Sequence, residues 1–84
     1  MRFSAVLFRF PGPAGWTFVP LPTDSVWTGT HPWGRTPVRA TVNGHTWDTS
    51  VWRDRRYGAL LAVPKRVRGS LGHGDEVTVD LELR

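Results

Sequence analysis

The sequence predicts an all-β fold, a single small closed or split β-barrel of about six short, mainly antiparallel strands with one or two short helical turns. Short runs of β-forming residues recur between turns rich in Gly and Pro. Residues 76–83 alternate apolar and polar side chains, which is the period of a half-buried strand. The chain has 84 residues and no cysteine. We therefore expect one domain, residues 1–84, that gains stability by closing its sheet and so removing the edges.

The first half of the chain predicts two hairpins. Residues 3–10 and 16–20 are β-rich runs separated by a Pro-Gly cluster, so we predict that they pair. Residues 37–42 and 45–52 flank Asn43-Gly44, a dipeptide that favours a tight turn because both turn positions need positive φ.

The segments between and after these hairpins predict turns, a central strand and a final strand. Residues 21–29 predict a helical turn that begins at Thr23, Asp24 or Ser25 and ends at Gly29. We expect an exposed loop over 30–36, a charged turn over 53–56, and a short helix within 64–71. Residues 57–63 are apolar on both faces, which is typical of a central strand. Residues 72–75 then form a turn before the alternating strand.

Aromatic rings and charge are the two distinctive features of the composition. Five Trp, four Phe and one Tyr are expected to supply core volume in so short a chain. The net charge is +4, and every cation except Lys65 is Arg. This excess of Arg has two interpretations, and both stay open. A GC-rich genome favours Arg codons, and an anion- or nucleic-acid-binding protein uses the planar guanidinium to contact phosphate and carboxylate. We find no stretch long enough to span a membrane and no signal peptide, so a cytoplasmic location is the default expectation.

Several short motifs occur in an order that resembles one known family. They are Phe3-x-Ala5, Trp16-x-Phe18-Val19-x-Leu21-Pro22, Val38-x-Ala40-Thr41-Val42-Asn43-Gly44, Val63-x-Lys65-x-Val67-Arg68 and Gly74-Asp75-x-Val77-x-Val79. Together they resemble the bacterial family called domain of unknown function 1905, from residue 3 to about residue 83. The resemblance implies a compact barrel of the split-barrel kind, a core position for Trp16, and no established activity. Family members that are fused to a second domain suggest an accessory or binding role.

Basic side chains flank the predicted fifth strand. It is preceded by Arg53, Arg55 and Arg56 and followed by Lys65, Arg66 and Arg68. In a simple meander these two groups lie at opposite mouths of the barrel. They are therefore either solvated turns or separate anion-binding positions, and one continuous nucleic-acid groove is less favoured.

The tryptophans suggest a ligand or partner surface. Trp47 and Trp52 have opposite parity, so we expect one to face the core and the other the solvent. Trp27 and Trp33 flank the Gly- and Pro-containing loop and are candidates for a lid over one barrel mouth. The alternative is that these rings pack over the barrel end and complete the core. Trp27, Trp33 and Trp52 also depart from the family pattern.

The spacing of the ionisable residues indicates neither a Ser-His-Asp triad nor a metal site. His45 and Asp48 differ by three positions, so they point to opposite faces of a strand. His31 and His73 have no partner at a spacing typical of a metal site. We expect Asp75 to bond to main-chain N–H groups of its own turn. No metal or cofactor is therefore predicted.

Three functional hypotheses remain. The first is a non-catalytic binding module for a small anionic or aromatic ligand or for a protein partner. The second is a small-molecule enzyme of the cyclase or isomerase type with a Trp-lined pocket, in which Asp48, Tyr57 and His45 supply polar groups. The third is a nucleic-acid-associated regulator. A monomer and a homodimer are both compatible with the sequence, and no membrane partner is expected.

Overall fold

The computed structural model describes residues 1–10, 16–22, 35–54 and 58–84. The elements in chain order are β1 (Arg2–Val6), β2 (Phe8–Arg9), β3 (Thr17–Pro20), β4 (Arg35–Val42), β5 (His45–Asp54), β6 (Gly58–Ala62), α1 (Lys65–Arg68) and β7 (Glu76–Leu83). The strands form one antiparallel sheet in the order β1-β7-β4-β5-β6-β3-β2. The sheet curls into a nearly closed barrel with one unsealed seam. The predicted all-β barrel is confirmed.

The first predicted strand is divided at Leu7, because the segment changes its partner there. β1 pairs with β7, and β2 pairs with β3. At the division, the Leu7 N–H donates to the Asp75 carbonyl and the Gly74 N–H donates to the Leu7 carbonyl, both at 2.8 Å. One segment therefore contacts both ends of the sheet, and seven strands result where about six were predicted. The predicted first hairpin exists as the short β2–β3 pair.

The β4–β5 hairpin has the turn that the Asn-Gly dipeptide predicts. Asn43 and Gly44 both have positive φ, 47° and 89°. The register runs without a break from Val42↔His45 to Arg35↔Trp52.

Both strands of this hairpin are longer than predicted. β4 begins at Arg35, inside the predicted loop, and β5 continues through Asp54, inside the predicted charged turn. The turn prediction was wrong for Arg53 and Asp54 because these residues pair with Ala59 and Gly58 of β6. β6 lies between β5 and β3, so the prediction of a central strand is confirmed.

The barrel core is aliphatic. Its buried members are Leu7, Val19, Leu21, Val38, Ala40, Val42, Val51, Ala59, Leu61, Val63, Val67, Val77, Val79 and Leu81. The expectation that aromatic rings fill the core was wrong for the described residues, where Phe3 and Trp47 contribute by packing partly buried against it. The core position predicted for Trp16 was also wrong, since 60% of this residue is exposed. Strand alternation turns Thr17 and Val19 inward and leaves Trp16 outside.

The alternation of β7 is observed with one exception. Val77, Val79 and Leu81 are buried, but Leu83 is 62% exposed. Main-chain contact with the N-terminal segment extends to Leu81, whose N–H donates to the Met1 carbonyl at 2.8 Å, and Leu83 lies two residues beyond it.

The predicted short helix is confirmed as α1. Val67 inserts into the core, and Gly69, with φ 60°, follows the last helical residue. The segment predicted as a helical turn, 21–29, and most of the predicted loop lie outside the described residues. In the described part of the chain, no helix is long and apolar enough to cross a membrane.

Candidate functional site

β5 separates from β6 along half of its length, and this separation creates a cleft. β6 pairs with β5 only over Val51–Asp54, although β5 begins at His45. β6 instead continues along β3, where Ala62 pairs with Phe18. In the described chain, the first half of β5 therefore has a strand on its β4 side only.

The opening has a volume of about 380 Å³. We call it the β5–α1 cleft and define it by its lining residues, which are Trp16, Thr17, Trp47, Asp48, Thr49, Ala62, Val63, Pro64, Lys65, Arg66 and Arg68. Its size lies within the range of about 300–1,000 Å³ that is usual for ligand pockets. α1 closes one side of the cleft because Val67 anchors the helix in the core.

Two indole rings reach the cleft from different elements. Trp47 lies opposite the buried Ala40 and is therefore on the inner face of β5, whereas Trp52 lies on the outer face. This confirms the predicted opposite orientations. Trp16, which precedes β3, is the second indole of the cleft. Sequence reasoning assigned Trp16 to the core and so missed this position.

The cations of α1 differ in their availability. Arg68 donates from Nε to the Val63 carbonyl at 3.2 Å and from Nη1 to the Leu71 carbonyl at 3.0 Å, so its guanidinium fastens the helix to its flanking segments. Lys65 and Arg66 are exposed, and neither takes part in an ion pair among the described residues. These two side chains supply positive charge to the cleft, and no carboxylate of the described residues forms an ion pair with them.

The carboxylate of Asp48 is already compensated. Arg39 Nε lies 3.1 Å from Oδ1, and Arg84 Nη1 lies 3.6 Å from Oδ2. Asp48 and Arg39 are cross-strand neighbours on β5 and β4. The positive character of the cleft is therefore only weakly opposed by this acidic residue.

The other predicted site residues are dispersed or lie outside the described residues. His45 is at the hairpin end of β5, and Arg53 is near its opposite end; neither lines the cleft. Trp27, Trp33, Arg55 and Tyr57 belong to segments that the structure does not describe, as does His31.

The two remaining polar turn residues have structural partners. The Arg9 N–H donates to His73 Nδ1 at 3.1 Å. The Gly72 N–H donates to Asp75 Oδ2 at 2.8 Å, which confirms the prediction for Asp75. Within the described segments, no three His, Asp or Glu side chains cluster in a way that would hold a metal ion.

A second apolar feature lies on the outer face of the sheet, around β2 and β3, and extends to Trp52 of β5. We call Phe8, Phe10, Trp16, Phe18 and Trp52 the outer aromatic patch. Its ring centroids lie as close as 4.7 Å, between Phe10 and Phe18, and a groove of about 300 Å³ runs along it. The Arg35 guanidinium lies 4.4 Å from the Trp52 ring centroid in a cation–π contact. Trp16 belongs to both the patch and the cleft.

A search of curated proteins found no match to this chain. The chain does match the family described as Domain of unknown function (DUF1905) over residues 3–83, which is nearly its whole length. The resemblance carried by the motifs from Phe3 to Val79 is thereby confirmed. The chain belongs to the family of domains of unknown function 1905.

Proposed function

We propose that this barrel is a non-catalytic binding module whose ligand combines an anionic group with a flat apolar group, held in the β5–α1 cleft. The observation that carries the proposal is the meeting of Trp16 and Trp47 with Lys65 and Arg66 around one opening. Indole rings offer flat faces for stacking, and the two cations attract a carboxylate or phosphate.

The exposure of Trp16 supports this assignment. A large ring that is 60% exposed retains apolar surface in contact with water, and Trp is enriched where proteins bind ligands and partners. The separation of the cations favours a compact ligand over a nucleic-acid backbone. Arg53 lies five residues along β5 from Asp48, a cleft residue, which is about 17 Å at ~3.3 Å per residue. A nucleic-acid backbone is bound by a continuous positive groove.

The test uses 1-naphthyl phosphate as the probe and 1-naphthol as its uncharged counterpart. Titration is followed by NMR of the indole N–H groups, assigned by single Trp→Phe variants. We expect the phosphate ester to shift the Trp16 and Trp47 signals at concentrations where Trp52 is unaffected. Naphthol should bind more weakly. Shifts at Trp52 without shifts at Trp47 would place the ligand on the outer aromatic patch and refute the proposal. Equal binding of both compounds would show that the cations do not contribute, which also refutes it.

A charge variant sharpens the test. The double variant Lys65→Gln/Arg66→Gln should weaken phosphate-ester binding about two- to thirtyfold, since exposed ion pairs contribute ~0.2–1 kcal/mol each. Arg9→Gln/Arg53→Gln is the matched control because it also removes two exposed cations, and neither residue lines the cleft. The same loss in both variants would indicate a general charge effect and no localised site.

A further inference from the structure

The first half of β5 presents an unpaired strand edge inside the cleft. The ladder with β6 begins at Val51, so residues 46–50 have no strand neighbour on the side away from β4 in the described chain. We call the main chain of residues 46–50 on that side the β5 edge. It is about 13 Å long at ~3.3 Å per residue, which matches four or five residues of an extended chain.

The direction of the main-chain groups follows from the residues of β4. The Pro37 carbonyl accepts from the Arg84 N–H, and the Asn43 N–H donates to the Thr78 carbonyl. Odd-numbered residues of β4 therefore direct their main-chain groups toward the β7 side. In an antiparallel ladder, their opposite residues on β5 then direct N–H and C=O away from β4.

Within the register this applies to Thr46, Asp48 and Ser50, the partners of Thr41, Arg39 and Pro37. Ser50 adjoins the start of the β6 ladder at Val51, so Thr46 and Asp48 are the residues farther from β6. The pair Thr41–Thr46 is consistent with this alternation, since side chains approach more closely in a pair that lacks mutual main-chain bonds. Their Oγ1 atoms are 2.8 Å apart. Main-chain donors and acceptors of Thr46 and Asp48 therefore point into the open side of β5, where the cleft lies.

The chemistry around this edge selects the occupant. Lys65 and Arg66 supply positive charge from α1, and Trp47 supplies an apolar surface between the two edge residues. A second copy of the chain would bring the same cations and the same net charge of +4 against this edge, which opposes self-pairing. An acidic chain in extended conformation complements both the charge and the unpaired main chain.

We propose that the β5 edge receives an acidic peptide segment, which adds to β5 as a further strand with its carboxylates within reach of Lys65 and Arg66. This is recognition by strand addition, in which main-chain bonds give affinity and side-chain contacts give selectivity. The inference rests on the ligand-binding function proposed for the cleft and names the class of ligand.

The peptide Ac-Glu-Val-Glu-Phe-Glu-NH₂ tests the proposal on the unaltered protein by isothermal titration calorimetry. Replacement of Glu by Gln in the peptide should weaken binding at least tenfold. Two further peptides carry N-methyl groups on alternate residues, one set on each edge of the extended chain. One of them should bind at least tenfold more weakly than the other. Equal affinities of the two methylated peptides would overturn strand addition.

The protein-side test is Asp48→Pro, with Asp48→Ala as its matched control. Both remove the carboxylate, but only proline removes the N–H of the β5 edge, and proline is tolerated where that N–H faces away from the ladder. We expect Asp48→Ala to bind the peptide as tightly as the native chain or more tightly, and Asp48→Pro at least tenfold more weakly. Equal binding by both variants would refute the assignment of this edge. If Asp48→Pro does not fold, as judged from its thermal melt, the methylated peptides decide.

Two outcomes separate this inference from the proposed function. Binding of 1-naphthyl phosphate at Trp16 and Trp47 without peptide binding would leave the ligand site in place and refute the peptide. Failure of both probes would refute both proposals. A dimer detected by light scattering that Asp48→Pro abolishes would show that a second copy occupies the edge, which also contradicts the acidic peptide.

Discussion

Leu81 and Leu83 lie two residues apart on the same face of β7, yet the structure places them in opposite environments. Leu81 is fully buried in the core, whereas Leu83 is 62% exposed. The substitutions Leu81→Ala and Leu83→Ala remove the same atoms from the same strand face. Differences in intrinsic strand propensity therefore largely cancel, and the comparison isolates burial.

The expected magnitudes differ by several kcal/mol. Truncation of a fully buried Leu to Ala costs about 2–5 kcal/mol, because transfer free energy is lost and a cavity remains. A substitution at an exposed position usually changes stability by about 0.5 kcal/mol or less. A domain of this length has a free energy of unfolding of about 4–13 kcal/mol, from ~0.05–0.15 kcal/mol per residue. Leu81→Ala therefore removes a large share of the total stability.

The assay is urea denaturation, followed by tryptophan fluorescence and far-UV circular dichroism, with thermal melts in parallel. Leu81→Ala should lower the melting temperature by about 8 °C or more, at ~4–8 °C per kcal/mol for a small domain. Leu83→Ala should shift the melting temperature by less than half of that. Equal losses would mean that Leu83 is covered as well as Leu81, and the burial pattern of β7 described above would be wrong.

Three further sets of substitutions test local features of the fold. Gly44→Ala should cost about 1–2 kcal/mol of stability in thermal melts, because Gly44 has φ +89°. Gly72→Ala is the control and should be nearly neutral, since Gly72 has no positive φ and an added Cβ meets open space. Equal effects would contradict the turn geometry. Arg68→Gln should lower stability by about 1–3 kcal/mol in urea titrations, since two guanidinium hydrogen bonds to main-chain carbonyls are lost. An unchanged urea midpoint of unfolding would show that these bonds contribute little to stability. Asp75→Ala should lower stability by about 1 kcal/mol, because the hydrogen bond from the Gly72 N–H is lost. Asp75→Asn keeps an oxygen that can accept this bond and should restore most of the lost stability. If Asp75→Asn is as unstable as Asp75→Ala, the charge of Asp75 and not this hydrogen bond stabilises the turn.

Local rules predicted the parts of the fold that local chemistry determines. Asn43-Gly44 produces its turn because both residues accept positive φ. The strand Glu76–Leu83 has the predicted bounds because apolar and polar residues alternate along its whole sequence. The division at Leu7 escaped prediction because it depends on pairing with Gly74 and Asp75, which lie far along the chain. No property of residues 3–10 alone indicates that change of partner.

Trp16 shows why the candidate site was only partly predictable. On volume and polarity, the indole is the more attractive core residue, yet Thr17 is buried and Trp16 is exposed. The interior of a small barrel is filled by compact side chains such as those of Val19 and Leu61, and it leaves little room for large rings. Sequence reasoning named Trp47, Asp48, Lys65 and Arg68 as candidates, but the cleft that joins them depends on where β6 leaves β5.

The pairing of β1 with β7, the last strand of the sheet along the chain, has a consequence for biosynthesis. Arg2 and Asp80 are 78 positions apart, so the barrel cannot close while β7 is still within the ribosome. Until then β1 has no partner and one side of β4 is open, a state that favours slow folding and invites proteases and chaperones. A nascent chain arrested before Glu76 should therefore be digested rapidly even though its other strands have been synthesised.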